Sequence, residues 1–240
     1  TLAAHRPPTA NAGADQVITR PSLAATLNGT ATDDGRPSNR LVYAWSAVSG
    51  PGAVVFTNTA TANTRASFTN NGVYILRLTV SDTASSGSDD IQVTVNSAPT
   101  VNAGADQLIT RPSMAVLNGT AADDGRPTNR LTYAWSAVSG PGTVVFTNAA
   151  TPNTRASFTN SGVYILRLTV SDTAASGSDD IQVTVNSAPV ANAGVDQEVV
   201  LPATAALNGT ATDDGRPTNR LTYAWSVVSG PGTVVLTNAA

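Results

Sequence analysis

The chain has 240 residues and a formal net charge of −3, with 13 Lys+Arg against 16 Asp+Glu. Clustered positive charge, which nucleic-acid binding needs, is therefore missing. There is no cysteine, which excludes disulfide staples, thiol catalysis and cysteine-based zinc sites.

Charged residues are 12% of the chain, about half the usual share for a soluble domain. Every basic residue other than His5 is arginine, and Glu198 is the only glutamate. No apolar run approaches the roughly 18–20 residues that span a bilayer, and no signal peptide is visible. Because the chain opens at Thr1, it is read as a mature or excised segment of a secreted, extracellular or cell-surface protein.

The three tryptophans, Trp45, Trp135 and Trp225, stand ninety residues apart. The surrounding text recurs: YAWSAVSGPG at Tyr43 and Tyr133, YAWSVVSGPG at Tyr223. Between residues 41–99 and 131–189 only six aligned positions differ. NAGADQ at Asn11 returns at Asn102, and as NAGVDQ at Asn192. The domain reading is a leader over 1–7, repeats over 8–98 and 99–188, and a partial third repeat over 189–240. Ninety residues is too long for a solenoid turn and matches a whole sandwich domain. Asn96-Ser97-Ala98-Pro99 and Asn186-Ser187-Ala188-Pro189 form short joints that proline stiffens.

Within one repeat, apolar and polar residues alternate at the strand period. Over Leu41–Ala47 the inward set is Leu41, Tyr43, Trp45 and Ala47. Over Val73–Val80 it is Tyr74, Leu76, Leu78 and Val80, with Arg77 and Thr79 outward. Over Ile91–Val95 it is Ile91, Val93 and Val95. Turn residues punctuate these runs at Asp33, Ser49, Asn70 and Ser85, and no segment keeps a helical period. The predicted fold is all-β: tandem immunoglobulin-like antiparallel β-sandwiches of about seven strands each.

NAGADQ, LNGTATDDG, YAWSAVSGPG, GVYILRLTVSD and DIQVTV, in that order, resemble a PKD domain, a cell-surface module of bacteria and animals. The resemblance covers nearly the whole chain, which is taken as bacterial-type. It implies that Trp45 and Trp135 fill the cores from the third strand. It also implies that Tyr74 and Tyr164 open the sixth strand, similar to the tyrosine corner of sandwiches. Many members carry Asp-Pro-Asp-Gly after the second strand; here Asp33-Asp34-Gly35 lacks the proline.

No catalytic residue is assigned. The only histidine, His5, lies outside the repeats, so neither a nucleophilic triad nor a histidine metal site has material within them. Calcium is the candidate cofactor. In this strand order the first strand's start, the second-to-third loop and the sixth-to-seventh loop share the pole facing the preceding unit. That pole is expected to gather Asn11, Asp33, Asp34 and Asp82 in the first unit. The second offers Asn102, Asp123, Asp124 and Asp172, and the third Asn192, Asp213 and Asp214. Calcium takes six to eight oxygens of such groups. The competing reading is turn chemistry, Asp-Asp-Gly followed by Arg36 to neutralise the pair.

Asn28-Gly29-Thr30, repeated at Asn118 and Asn208, matches the N-glycosylation triplet; strand start plus turn is the preferred reading. Arg77 is read as a solvated or cross-strand ion-pair residue. Function divides three ways: a non-enzymatic stalk, adhesin shaft or surface fibre; an accessory polysaccharide- or protein-binding array of a secreted hydrolase; or a subunit that self-assembles into a filament or sheath. A strand of about eight residues spans about 26 Å, so each bead should add roughly 35–45 Å with its loops. The partners expected are neighbouring repeats of the same or a longer chain.

Overall fold

A computed structural model describes residues 5–37 and 40–237. None of these residues is helical, and the first two repeats are complete sandwiches. In the first, β1 (Thr9–Asn11), β2 (Gln16–Thr19), β3 (Ala24–Asn28) and β4 (Thr30–Thr32) precede the long strands. These are followed by β5 (Val42–Ser49), β6 (Val54–Phe56), β7 (Asn63–Phe68), β8 (Gly72–Ser81) and β9 (Ser86–Asn96). One sheet runs β2-β9-β8-β5, with β2 parallel to β9; the facing sheet runs β3-β7-β6; β1 and β4 form a separate ribbon. The second repeat copies this order from β10 (Thr100–Asn102) to β18 (Ser176–Asn186).

Nine strands replace the seven expected because the first two are each broken. At the first break Asn11 Oδ1 accepts the Gly13 amide at 2.8 Å, and Gly13 takes φ +95°, a left-handed conformation that glycine adopts without penalty. The kink lets β1 pair with β4 while β2 crosses to β9. At the second break Gly29 leaves the β3 path and donates to the Ala62 carbonyl.

The alternation places the core. Tyr74, Leu76, Leu78 and Val80 of β8 and Ile91, Val93 and Val95 of β9 are buried, as their period requires. Trp45 is buried beside them and donates its indole N–H to the Ala62 carbonyl. Ala47, expected to face inward, is exposed. A register shift between Ala47 and Ser49 breaks the alternation there, at the end of an edge strand. The Tyr74 ring lies 4.6 Å from Phe68, and its hydroxyl donates to the Asn70 carbonyl and accepts the Asn70 amide. Tyr164 makes the same bond to the Asn160 carbonyl, so both complete units carry a tyrosine corner.

The third repeat keeps β19 (Val190–Asn192) paired with β20 (Thr210–Thr212).

The tyrosine corner yields a direct test. Tyr74→Phe should cost about 1 kcal/mol, because it removes the partner of the Asn70 amide and carbonyl in a partly buried corner. Tyr43→Phe, whose hydroxyl makes no hydrogen bond with any described residue, should stay within about 0.5 kcal/mol in the same urea titration.

Candidate functional site at the joints

Two loops of each unit meet the chain arriving from the preceding unit. The first is the β4–β5 loop. Asp33 Oδ2 accepts the Gly35 amide and Asp34 Oδ1 accepts the Arg36 amide, each at 3.0 Å. Asp123, Asp124, Asp213 and Asp214 repeat these bonds in the later units. The turn chemistry is therefore present, but it engages only one oxygen of each leading aspartate. Arg126 and Arg216 donate Nη1 to the backbone carbonyls of Asp124 and Asp214, and the Arg216 charge acts on the Asp214 carboxylate as well.

The second is the β8–β9 loop. Asp82 is fully buried, and its Oδ1 accepts the Ala84 and Ser85 amides at 2.9 Å. Asp172 is its buried equivalent and accepts the Ala174 and Ala175 amides.

The incoming chain closes the site. Asn96, the last residue of β9, is fully buried and donates Nδ2 to Asp172 Oδ2 at 2.9 Å. The Ser97 amide and Asn71 Nδ2 both donate to Asp124 Oδ2. At the next joint the Ser187 amide donates to Asp214 Oδ2. Residues 5–6 dock on the first unit in the same way. The Arg6 amide donates to Asp34 Oδ2 at 3.1 Å, and His5 Nε2 lies 3.3 Å from Asp82 Oδ2. Pro8 and Pro99 then pass so close to β9 and β18 that a Cβ on Gly87 or Gly177 would stand 1.9 or 2.0 Å from their carbonyl oxygens. Only glycine fits there.

The structure thus brings together two of the three segments expected at the pole. Asn11, Asn102 and Asn192 are the correction. β1 pairs Thr9 with Thr32 and Asn11 with Thr30, so Asn11 stands at the far end of its strand from Asp33. Its carboxamide oxygen is taken by Gly13, and those of Asn102 and Asn192 by Gly104 and Gly194. The asparagines that reach the pole are Asn96 and Asn186, which close the preceding unit. Their signal in the sequence was the recurrence of Asn-Ser-Ala-Pro, read only as a joint.

Five buried oxygens here have no hydrogen-bond donor among the described residues: Oδ1 of Asp33, Asp123 and Asp213, and Oδ1 of Asn96 and Asn186. The same atom is orphaned in every copy. Among the described residues no three His, Cys, Asp or Glu side chains converge to hold a metal by themselves. The orphaned set includes asparagine amide oxygens beside the carboxylates.

Other acidic residues serve the sandwich itself. Arg77 pairs with Asp90 directly across β8 and β9, bidentately at 2.7 and 2.8 Å, as Arg167 does with Asp180. That is the cross-strand ion pair expected of an outward arginine.

A family model described as "K319L-like, PKD domain" matches residues 12–95 and 103–185. The mouse dyslexia-associated protein KIAA0319-like protein is 34% identical over 98% of this chain and 23% of its own length. The human dyslexia-associated protein KIAA0319 is 32% identical over 91% of this chain and 21% of its own length. The chain therefore spans less than a quarter of these curated relatives. They are animal proteins, so the bacterial-type attribution finds no support among them. Among solved structures, the I-band fragment I67–I69 from titin superposes with a TM-score of 0.50 at 13% identity, over 78% of this chain and 68% of that one. Sidekick-1 immunoglobulin domains 1–5 give 0.51 at 14%, over 88% and 46%. At that identity the likeness speaks for the fold alone: tandem immunoglobulin-like sandwiches.

Burial pushes the Asp172 carboxyl up, but the Asn96 amide and the backbone amides of Ala175 and Ala174 outweigh it, and the net displacement is downward. A carboxyl lowered in the folded state stabilises above its unfolded value of about 3.9, and that stability drains away as pH falls through the folded value. Urea titrations between pH 7 and pH 3 should show a loss of stability below about pH 4. Asp172→Asn should flatten that acid limb while lowering stability at pH 7.

Proposed function

This chain belongs to the K319L-like PKD domain family, and on that premise we propose that it is a non-enzymatic, extracellular shaft whose joints set the direction from one unit to the next. The observation that carries this reading is the repetition of the joint. At residues 6, 97 and 187 the incoming backbone amide donates to the second aspartate of the next unit's Asp-Asp pair. A chain of beads with unbonded linkers would bend freely; one whose every linker is tied to the following bead is stiffened.

Calcium suits the same place. The orphaned Oδ1 atoms of Asp123 and Asn96 are buried oxygens with no donor, and an unsatisfied buried carboxylate oxygen is costly unless a donor or cation meets it. Asp123, Asp124, Asp172 and Asn96 would hold the ion at the second joint. Asp213, Asp214 and Asn186 would do so at the third, and Asp33, Asp34 and Asp82 at the first. The ion would neutralise the clustered carboxylates and tie the two units together.

An accessory glycan- or protein-binding role is less favoured, because it needs an exposed aromatic platform. In the complete units Trp45, Phe68 and Tyr74 are buried, and Tyr43 and Phe56 are half-buried against the core.

Small-angle scattering on the 240-residue chain should give an extended particle. Its maximum dimension should shorten and its flexibility rise in Asp124→Ala, which removes the acceptor for both Ser97 and Asn71. A wild-type profile from that variant would sink the shaft reading. Calorimetry with calcium should show binding, and EDTA should lower the melting temperature. A melting temperature indifferent to EDTA, with no binding heat, would remove calcium and leave the hydrogen-bonded joint standing.

A further inference from the structure

Of the nineteen asparagines, only Asn28, Asn118 and Asn208 have a hydroxyl residue two positions on with no proline between. The sandwich accounts for the glycine of each triplet. A Cβ on Gly29 would stand 2.6 Å from Leu78 Cδ2 and 2.8 Å from the Ala62 carbonyl, and one on Gly119 would stand 2.3 Å from Leu168 Cδ2. It does not account for the asparagine. Asn11, Asn58, Asn70, Asn71 and Asn96 each spend their carboxamide on a hydrogen bond that shapes a turn or a joint. Asn28, Asn118 and Asn208 are exposed and make no side-chain hydrogen bond with any described residue. Thr30 and Thr120 are exposed as well, and their hydroxyls are equally unengaged. A turn function for the asparagine, the plainer sequence reading, therefore lacks the bond that would define it.

The surroundings favour a large hydrophilic attachment. Asn28 and Asn118 are the last residues of β3 and of β12 (Ala115–Asn118), which are edge strands of the smaller sheets. Asn118 opens onto a shallow depression lined by Val116, Asn148, Asn153 and Arg155, in which Val116 is left 46% exposed. An exposed edge strand with an apolar residue invites pairing with another chain, and bulk at its end opposes that.

We propose that Asn28, Asn118 and Asn208 are acceptors for asparagine-linked glycans, one per repeat, that shield the edge of the smaller sheet. The glycan is joined through the amide nitrogen of the side chain, which loses a proton as the sugar leaves its lipid diphosphate carrier; the threonine two residues on completes the recognised triplet. The inference rests on the extracellular reading only in that the chain must enter a secretory pathway. The experiment supplies that entry with an appended signal peptide.

The full chain is expressed in an animal cell line, and material from both cells and medium is treated with the amidase PNGase F. Its mass should fall by a glycan at each occupied triplet. Asn28→Gln and Asn118→Gln should each abolish one increment, and so should Thr30→Ala and Thr120→Ala. Because the amide makes no hydrogen bond, Asn28→Gln made in bacteria, where no glycan is added, should melt with the wild type. A wild-type mass unmoved by PNGase F would overturn the assignment. So would an Asn28→Gln protein destabilised as strongly as Tyr74→Phe, since that would show the asparagine to be structural. The extracellular reading fails by a different result, repeats left intact when protease is added to host cells.

Discussion

A carboxylate taken out of water must be met by donors or by positive charge, and the joints follow from how Asp82 and Asp172 satisfy that demand. Each lies fully buried at the pole that receives the incoming chain. Two backbone amides of its own loop engage Oδ1, and Oδ2 lies against the arriving chain, His5 at Asp82 and Asn96 at Asp172. At the second joint Asn96 supplies the missing donor from a residue 76 positions away. The unit thus presents a requirement that its neighbour fulfils. Position and orientation of successive sandwiches come from the same bond that stabilises each one.

The six differences between residues 41–99 and 131–189 bear this out. Most are surface exchanges, but Asn71 to Ser161 and Ser85 to Ala175 fall at the joints, and both keep the local chemistry closed. Asn71 donates to Asp124, and Ser161 hydrogen-bonds Asp214 in its turn. Ser85 lies 2.8 Å from His5, which occupies the place Asn96 takes in the next joint; where asparagine is present, the equivalent residue is Ala175. Ser85 and Asp82 both lie against the same His5 nitrogen, Nε2, at 2.8 and 3.3 Å.

The sandwich was legible in the sequence wherever a side chain's role depends on its own strand. The burial of Tyr74, Leu76, Leu78 and Val80 follows from a period of two, and so does the outward Arg77 that pairs with Asp90. Trp45 and the tyrosine corner followed from the resemblance. The misses share a cause: each depends on a residue distant in sequence or on a local break in the period. Ala47 faces solvent because the ladder slips beside it. Asn11 bends the first strand, and that bend carries it away from the pole it was expected to join. Asn96 is invisible to periodicity, because it looks like the polar end of a strand until the next unit's Asp172 is in place.

These geometries also bear on why repetition and specificity pull apart here. A binding site needs a surface that differs from its surroundings. In the complete units the aromatic residues that could build one are committed to the cores, and the outward arginines Arg77 and Arg167 are committed to Asp90 and Asp180. What remains outside is short, weakly charged and nearly the same in each copy. Such a surface offers a partner little reason to prefer one unit over the next, whereas the bond from the incoming backbone amide to the second aspartate recurs at every joint. Divergence is tolerated on the exposed faces, while at the joint a change such as Asn71 to Ser161 brings its own hydrogen bond to the half-buried second aspartate of the next unit.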